Sequence, residues 1–254
     1  MSLRVLVLGA SGALGTQVAR QALAAGHQVT ALVRNPARLA ADLRDRVAVQ
    51  VADIAEAPLQ SLAETIRGHD ALVNTAGFVT ENERFIALFD KVVTAAESLP
   101  PAQRPVCWLT AGAAMLDLDA GGRRGVDLPR LRNVYWPHAR NLERLERSAL
   151  DWRLLCPGPM VDSAPVGAQR MRVSQDRLPV PMPGIAASLP GVLALLLFGK
   201  RMPQMIVPYA DAAQLMVGNL SRGGAFSRRR TGLALPVGMR GSKAQWQAQA
   251  RSAA

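Results

Sequence analysis

Along the chain, apolar runs of four to eight residues alternate with amphipathic stretches of ten to fifteen, the pattern of repeated βαβ units around a parallel sheet covered on both faces. The runs predict strands at Arg4–Leu8, Gln28–Val33, Val47–Val51, Ala71–Thr75, Val106–Thr110 and Trp152–Cys156. Helices are expected between them at Leu14–Ala25, Arg38–Leu43, Leu59–Ile66, Phe85–Leu99 and Pro137–Ser148. Pro137 suits the first turn of its helix, where a missing N–H does no harm. Prolines at 157, 159, 165, 179, 181, 183 and 190 then predict a loop-rich stretch with short elements. Regularity returns at Met205 with a brief strand, a helix over Ala210–Leu220 and a strand over Gly232–Val237. The last dozen residues are expected to fray or to pack on a neighbour.

This order predicts one α/β unit with a Rossmann-type, doubly wound parallel sheet and a small loop-rich C-terminal substrate region. Its expected divisions are a dinucleotide-binding core at 1–156, a substrate region at 157–204, a return to the core at 205–240 and a tail at 241–254. With 254 residues, 49% of them hydrophobic, the chain can bury one large core. The two cysteines, Cys107 and Cys156, both fall in apolar runs, which argues against a disulfide framework and for a cytoplasmic protein.

The first residues, MSLRVLVLGASG, lack the basic start, long apolar core and cleavage site of a signal peptide and read as a strand. A second apolar segment, 185–199, falls short of the ~20 residues of a membrane crossing and is interrupted by Pro190 and Gly191. It reads as a core helix or dimer face, and with Lys200 and Arg201 it also suggests peripheral membrane contact through 185–201. Monomer and homodimer both remain open. The net charge of +11 sits mostly in the C-terminal part, where residues 151–254 hold 13 basic and 4 acidic side chains. Arg228, Arg229 and Arg230 lack interleaved aromatics or a recognition motif, so they read as a solvated loop and no nucleic-acid partner is expected.

The first strand runs into Gly9-Ala-Ser-Gly12-Ala-Leu-Gly15 and then a helix, the context in which a glycine triplet holds a dinucleotide. Gly9 allows the turn, Gly12 lets the backbone approach a pyrophosphate, and Gly15 lets the helix pack on the strand. The phosphates would meet the N–H groups of the helix start, with hydroxyls from Ser11 and Thr16 nearby. Past the second strand stands Arg34 where an NAD-binding unit usually has a carboxylate, which favours NADP(H) over NAD(H). Asp53, after the third strand, either accepts from the adenine amino group or caps the following turn. No metal ligands are expected.

With these features in place, the chain resembles the short-chain dehydrogenase/reductase superfamily, and more closely its NmrA-like, NAD(P)H-binding branch. The glycine turn, Asn74-Thr-Ala-Gly77, the segment Glu146–Pro159 and Met205-Ile-Val-Pro-Tyr-Ala-Asp211 carry the resemblance, which spans about residues 3–220. The candidate cofactor contacts are Gly9, Ser11, Gly12, Ala13, Leu14, Gly15, Arg34, Asp53, Ile54, Thr75, Ala76, Gly77 and Pro157. The superfamily's reductases use a Ser or Thr followed by Tyr-x-x-x-Lys, which puts Thr110 and Tyr135 forward as catalytic. The fourth residue past Tyr135 is Ala139, so the lysine is missing. A tyrosine with a pKa near ~10 then remains protonated, a donor for reduction and a poor base for oxidation. His138 titrates near neutrality and is a second candidate donor, with Arg140 beside it as a source of charge. The outline is also similar to flavin and biliverdin reductases, in which hydride passes directly to a bound acceptor.

The resemblance implies an NAD(P)H-dependent reductase of a small apolar acceptor: a quinone, flavin, enone or carbonyl compound. The pocket is expected between Phe78, Thr110–Met115, Tyr135 and Pro157–Val161, with methionines as adaptable lining. The alternatives are a non-catalytic NAD(P)-sensing regulator of the NmrA type and a sugar-nucleotide epimerase or dehydratase.

Overall fold

Val5, Leu6, Val7 and Leu8 are all fully buried, so the first strand, β1 (Arg4–Leu8), carries apolar side chains on both faces and sits in the middle of a sheet. The computed structural model describes residues 1–184 and 189–252. β2 (Gln28–Val33) and then β3 (Ala48–Val51) lie on one side of β1. β4 (Ala71–Asn74), β5 (Val106–Thr110) and β6 (Asp151–Pro157) follow on the other. All five of these pairings are parallel. The order reverses at β1, and in such sheets the crevice beyond the carboxyl ends of β1 and β4 is where ligands lie.

Two further strands extend the sheet past β6. β7 (Met160–Val161) and β9 (Val207–Pro208) form a separate parallel pair, and β8 (Arg172–Gln175) runs antiparallel at the edge. β10 (Arg229–Ala234) lies between β6 and β8 and is parallel to β6. Arg230 fixes this seam, giving two hydrogen bonds to Asp117 at 2.8 and 3.0 Å and one to the Met115 carbonyl at 2.8 Å.

Helices cover both faces. α1 (Ala13–Ala24) packs on α6 (Tyr209–Val217), where Val18, Ala19 and Ala22 and Ala212, Ala213 and Met216 belong to one buried cluster. The opposite face carries α2 (Leu59–Ile66), α3 (Glu83–Glu97) and α4 (Leu131–Glu146), which bury Leu62, Ile66, Val92, Val93, Leu142 and Leu145. Each such aliphatic side chain contributes about 1.5–3 kcal/mol, so helix placement follows the apolar stripes of the sequence.

Several expectations are corrected. Residues 38–43 form two short 3-10 turns, Pro36–Arg38 and Ala41–Leu43, because Asn35 caps the first through its side-chain oxygen and Leu39 then turns extended. α4 starts at Leu131, six residues before Pro137, so Pro137 lies inside the helix rather than in its first turn. The carbonyl that loses a partner belongs to exposed Asn133, where water can replace the N–H.

The arginines 228–230 are not a solvated loop. Arg228 donates to the carbonyls of Glu146, Ser148 and Leu150, Arg229 pairs with Asp176 at 2.8 Å, and Arg230 is largely buried. The tail is helical as α7 (Lys243–Ser252). Of the apolar segment 185–199, residues 185–188 lie outside the described residues, and the remainder begins α5 (Gly191–Arg201). Cys107 and Cys156 are both buried and unbridged, and burial pushes the Cys107 thiol up to about 12.

Candidate cofactor site

The turn after β1 is built so that only glycine fits. Gly9 has φ of 77°, and a Cβ there would lie 2.9 Å from the Ala76 backbone nitrogen. At Gly15 a Cβ would stand 2.2 Å from the Gly9 carbonyl oxygen. Gly12 precedes α1, whose first turn has no side-chain cap and no acidic residue. The first bond within the helix runs from the Thr16 N–H to the Gly12 carbonyl at 2.8 Å, so the N–H groups of Ala13, Leu14 and Gly15 have no acceptor in the helix. An uncapped, positive helix end beside a glycine cradle suits the pyrophosphate of a dinucleotide.

A cleft opens there, and Gly9, Ser11, Gly12, Arg34, Asp53, Ile54, Thr75, Ala76 and Gly77 all line it. Four other expected contacts do not. Leu14, Gly15 and Pro157 are buried and Ala13 is exposed beside the turn. Two hydroxyls are already committed: Thr16 Oγ1 donates to the Ala10 carbonyl at 3.0 Å, and Thr75 Oγ1 to the Leu8 carbonyl at 2.8 Å. They brace the turn. Asp53 does cap its following turn, accepting from the Ala55 N–H at 2.9 Å, while its other oxygen lies 4.0 Å from Arg34.

Arg38 lines the same cleft, and so do Phe78, Glu81, Arg84 and Leu88, which the sequence reading leaves out of the cofactor site. Arg84 and Leu88 come from the first turns of α3. Nothing local distinguishes Arg84 from any exposed helical arginine; only the packing of α3 on α2 and α4 carries it to the cleft. Arg34, Arg38 and Arg84 face two carboxylates, Asp53 and Glu81, so the cleft has an excess of positive charge.

The catalytic candidates stand beyond β5. Thr110 Oγ1 donates to the Asn74 carbonyl at 3.2 Å, tying the ends of β4 and β5 together. Tyr135 packs its ring near Gly112, where a Cβ would lie 3.5 Å from Tyr135 Cε1, and it stacks on His138 with centroids 6.1 Å apart. Burial raises the Tyr135 hydroxyl above its ordinary pKa, so it remains protonated. His138 departs from expectation. Burial pushes its imidazole down to about 4, Phe85 meets it edge-on at 5.2 Å, and buried Nδ1 has no hydrogen-bond partner among the described residues. At neutral pH it therefore carries no charge and is no imidazolium donor. Arg140 supplies none either, since it points outward and pairs with Glu143.

The expected substrate pocket is also revised. Ala113, Ala114 and Met115 are packed into the core, as are Met171 and Met205, so these side chains fill space rather than line a cavity. The role of one residue in the late segment Met205–Asp211 was not foreseen. Asp211, fully buried near the start of α6, accepts from the N–H groups of Val166 and Gly167 at 2.8 and 2.7 Å. It clamps the loop after β7 to the body of the fold.

Comparison with known proteins points to a nicotinamide cofactor. A family model described as NAD(P)H-binding matches residues 9–187. An uncharacterised Bacillus subtilis protein, YwnB, is 29% identical over 168 residues, covering 64% of this chain and 75% of its own. Among solved structures, a Streptococcus pneumoniae protein provisionally designated an NADH-flavin reductase superposes with a TM-score of 0.68 at 20% identity, covering 92% of this chain and 100% of its own. The anaerobilin reductase ChuY of Escherichia coli O157:H7 does so at 0.63 and 17% identity, covering 94% and 100%. At these identities the two structures share the fold.

Proposed function

The chain belongs to the NAD(P)H-binding family, and on that premise we propose that it is a reductase that uses NADPH in preference to NADH and acts on a small apolar acceptor. The observation that carries the reading is the convergence of the glycine turn, the uncapped start of α1 and Arg34 on one cleft. The backbone of the glycine turn, Gly9 to Gly12, and the positive end of α1 behind it would hold the pyrophosphate. Arg34, with Arg38 and Arg84 nearby, would take the 2′-phosphate through charge-assisted hydrogen bonds. The bound nicotinamide supplies the hydride.

The residues beyond β5 position the acceptor and supply a proton. Tyr135, held protonated by burial, donates to the developing oxyanion, and neutral His138 fixes the tyrosine ring by stacking. A site that only donates suits reduction and needs no lysine at position 139. The names of the flavin and anaerobilin reductases among its structural neighbours favour an aromatic or conjugated acceptor, which can take a hydride with little acid catalysis.

The test is spectroscopic: purified protein with NADPH or NADH and a panel of quinones, flavins, enones and aldehydes, followed by loss of nicotinamide absorbance. Turnover with at least one acceptor, faster with NADPH at subsaturating cofactor, is the expected result. Tight NADPH binding without turnover would instead favour a non-catalytic NAD(P) sensor, the reading that Ala139 in the lysine position supports.

A further inference from the structure

Helix α5 is apolar on two opposite faces. Its inner face sets Ala194 and Phe198 into the core, while Val192, Leu193 and Leu196 stand 61, 47 and 60% exposed. By helical spacing these three form one outward stripe that continues to exposed Lys200. The other end of α5 is seated on the segment before α4: Arg123 Nη1 donates to the Leu189 carbonyl at 2.9 Å, and a Cβ at Gly191 would meet the Pro129 ring at 2.8 Å. Exposed Arg130 and Arg132 follow directly. Cations therefore flank the apolar stripe at both ends, and no acidic residue occurs between 177 and 210 or between 128 and 142.

We propose that this face docks on an anionic lipid bilayer, with α5 lying in the plane of the interface. Val192, Leu193 and Leu196 enter the boundary between headgroups and acyl chains, and Lys200, Arg130 and Arg132 meet anionic headgroups. Eleven residues of helix span only about 16 Å, against the roughly 30 Å of a hydrocarbon core. Among the described residues no helix is long and apolar enough to cross a membrane. A second copy of the chain fits the face less well. Twofold symmetry would turn the patch onto itself and bring like charges together, and three aliphatic side chains fall short of the about 800 Å² per partner that a stable interface buries. The proposal does not depend on the reductase reading.

The experiment is co-sedimentation of the full chain with phosphatidylcholine vesicles and with mixed phosphatidylcholine and phosphatidylserine vesicles. Binding to the mixed vesicles should be at least about tenfold tighter than to pure phosphatidylcholine and should weaken as salt rises. The double variant L193E/L196E and the single variant Lys200→Glu should each lose most of it, with NADPH affinity unchanged as the check on folding. Absence of the wild type from the mixed-vesicle pellet, or equal binding to both vesicle types, would overturn the proposal. So would a dimer in light scattering that L193E/L196E converts to monomer, since the face would then belong to a second copy.

Discussion

Arg34 Nη1 stands 4.0 Å from Asp53 Oδ2 at the mouth of the cleft, with the arginine side chain 66% exposed. An exposed pair at that distance is weak, so the guanidinium is free to turn toward an incoming phosphate. Charge-assisted hydrogen bonds of this kind contribute about 1.5–3 kcal/mol each. Arg34→Asp should therefore weaken NADPH binding by roughly ten- to a hundredfold while NADH affinity holds or rises. Fluorescence titration with both dinucleotides checks it; an unchanged ratio of affinities removes Arg34 from the specificity argument.

Gly15 gives a second test of the cradle. An added methyl group would overlap the Gly9 carbonyl at 2.2 Å and Thr75 Oγ1 at 2.7 Å, both held by hydrogen bonds. Gly15→Ala should destabilise the fold by about 1–3 kcal/mol and reduce dinucleotide affinity more than tenfold, because α1 must shift away from the turn. Thermal melting with and without NADPH separates the two effects. Wild-type affinity in a stable variant would contradict the geometry.

His138 predicts a pH dependence of stability. Its folded pKa of about 4 lies below the ordinary value of 6.5, so the unfolded chain binds the extra proton. The full stability is present above pH 6.5 and is lost progressively as pH falls toward 4, to about 3 kcal/mol at most. His138→Phe should flatten that part of the profile. Urea unfolding of both proteins between pH 7.5 and 4.5, using roughly that range to bracket the titration, reads it directly; parallel profiles would mean the imidazole is not held neutral by burial.

Asp211 is expected to be costly to replace. Asp211→Ala leaves the Val166 and Gly167 N–H groups without their acceptor, which costs about 2–4 kcal/mol when charged hydrogen bonds are lost from a buried site. Amide exchange should accelerate at Val166 and Gly167 before it does so in β1. Equal protection of that loop in wild type and variant would show that something else holds it.

The alternation of apolar runs predicted the six strands β1–β6 within a residue or so: β1, β4, β5 and β6, buried along nearly their whole length, leave a continuous apolar run, while β3, exposed throughout, is marked only by its valines. It failed where tertiary packing overrides a local rule. Pro137 reads as a helix start, yet Leu128 and Leu131 have core to fill, and their burial draws α4 six residues upstream. The glycine turn and Arg34 were legible because strand, turn and helix are contiguous in the chain. Arg84 and Asp211 were not, since an exposed helical arginine and a helix-start carboxylate look ordinary until packing brings another segment to them. His138 shows the same limit. Its residue type suggests a charge switch, and only the ring of Phe85 and the depth of burial reveal that it stays neutral.

β10 lies between β6 and β8, although β8 precedes it in the chain by more than fifty residues. During synthesis the nucleotide-binding strands can therefore assemble early, while Arg172–Gln175 must wait for Arg229–Ala234 to emerge before it has a partner. Until then β6 is an open parallel edge, a template for pairing with another chain. Premature termination near residue 225 would leave the dinucleotide cradle encoded in full and that edge permanently uncovered, so such a product should aggregate rather than accumulate as a soluble, cofactor-binding fragment.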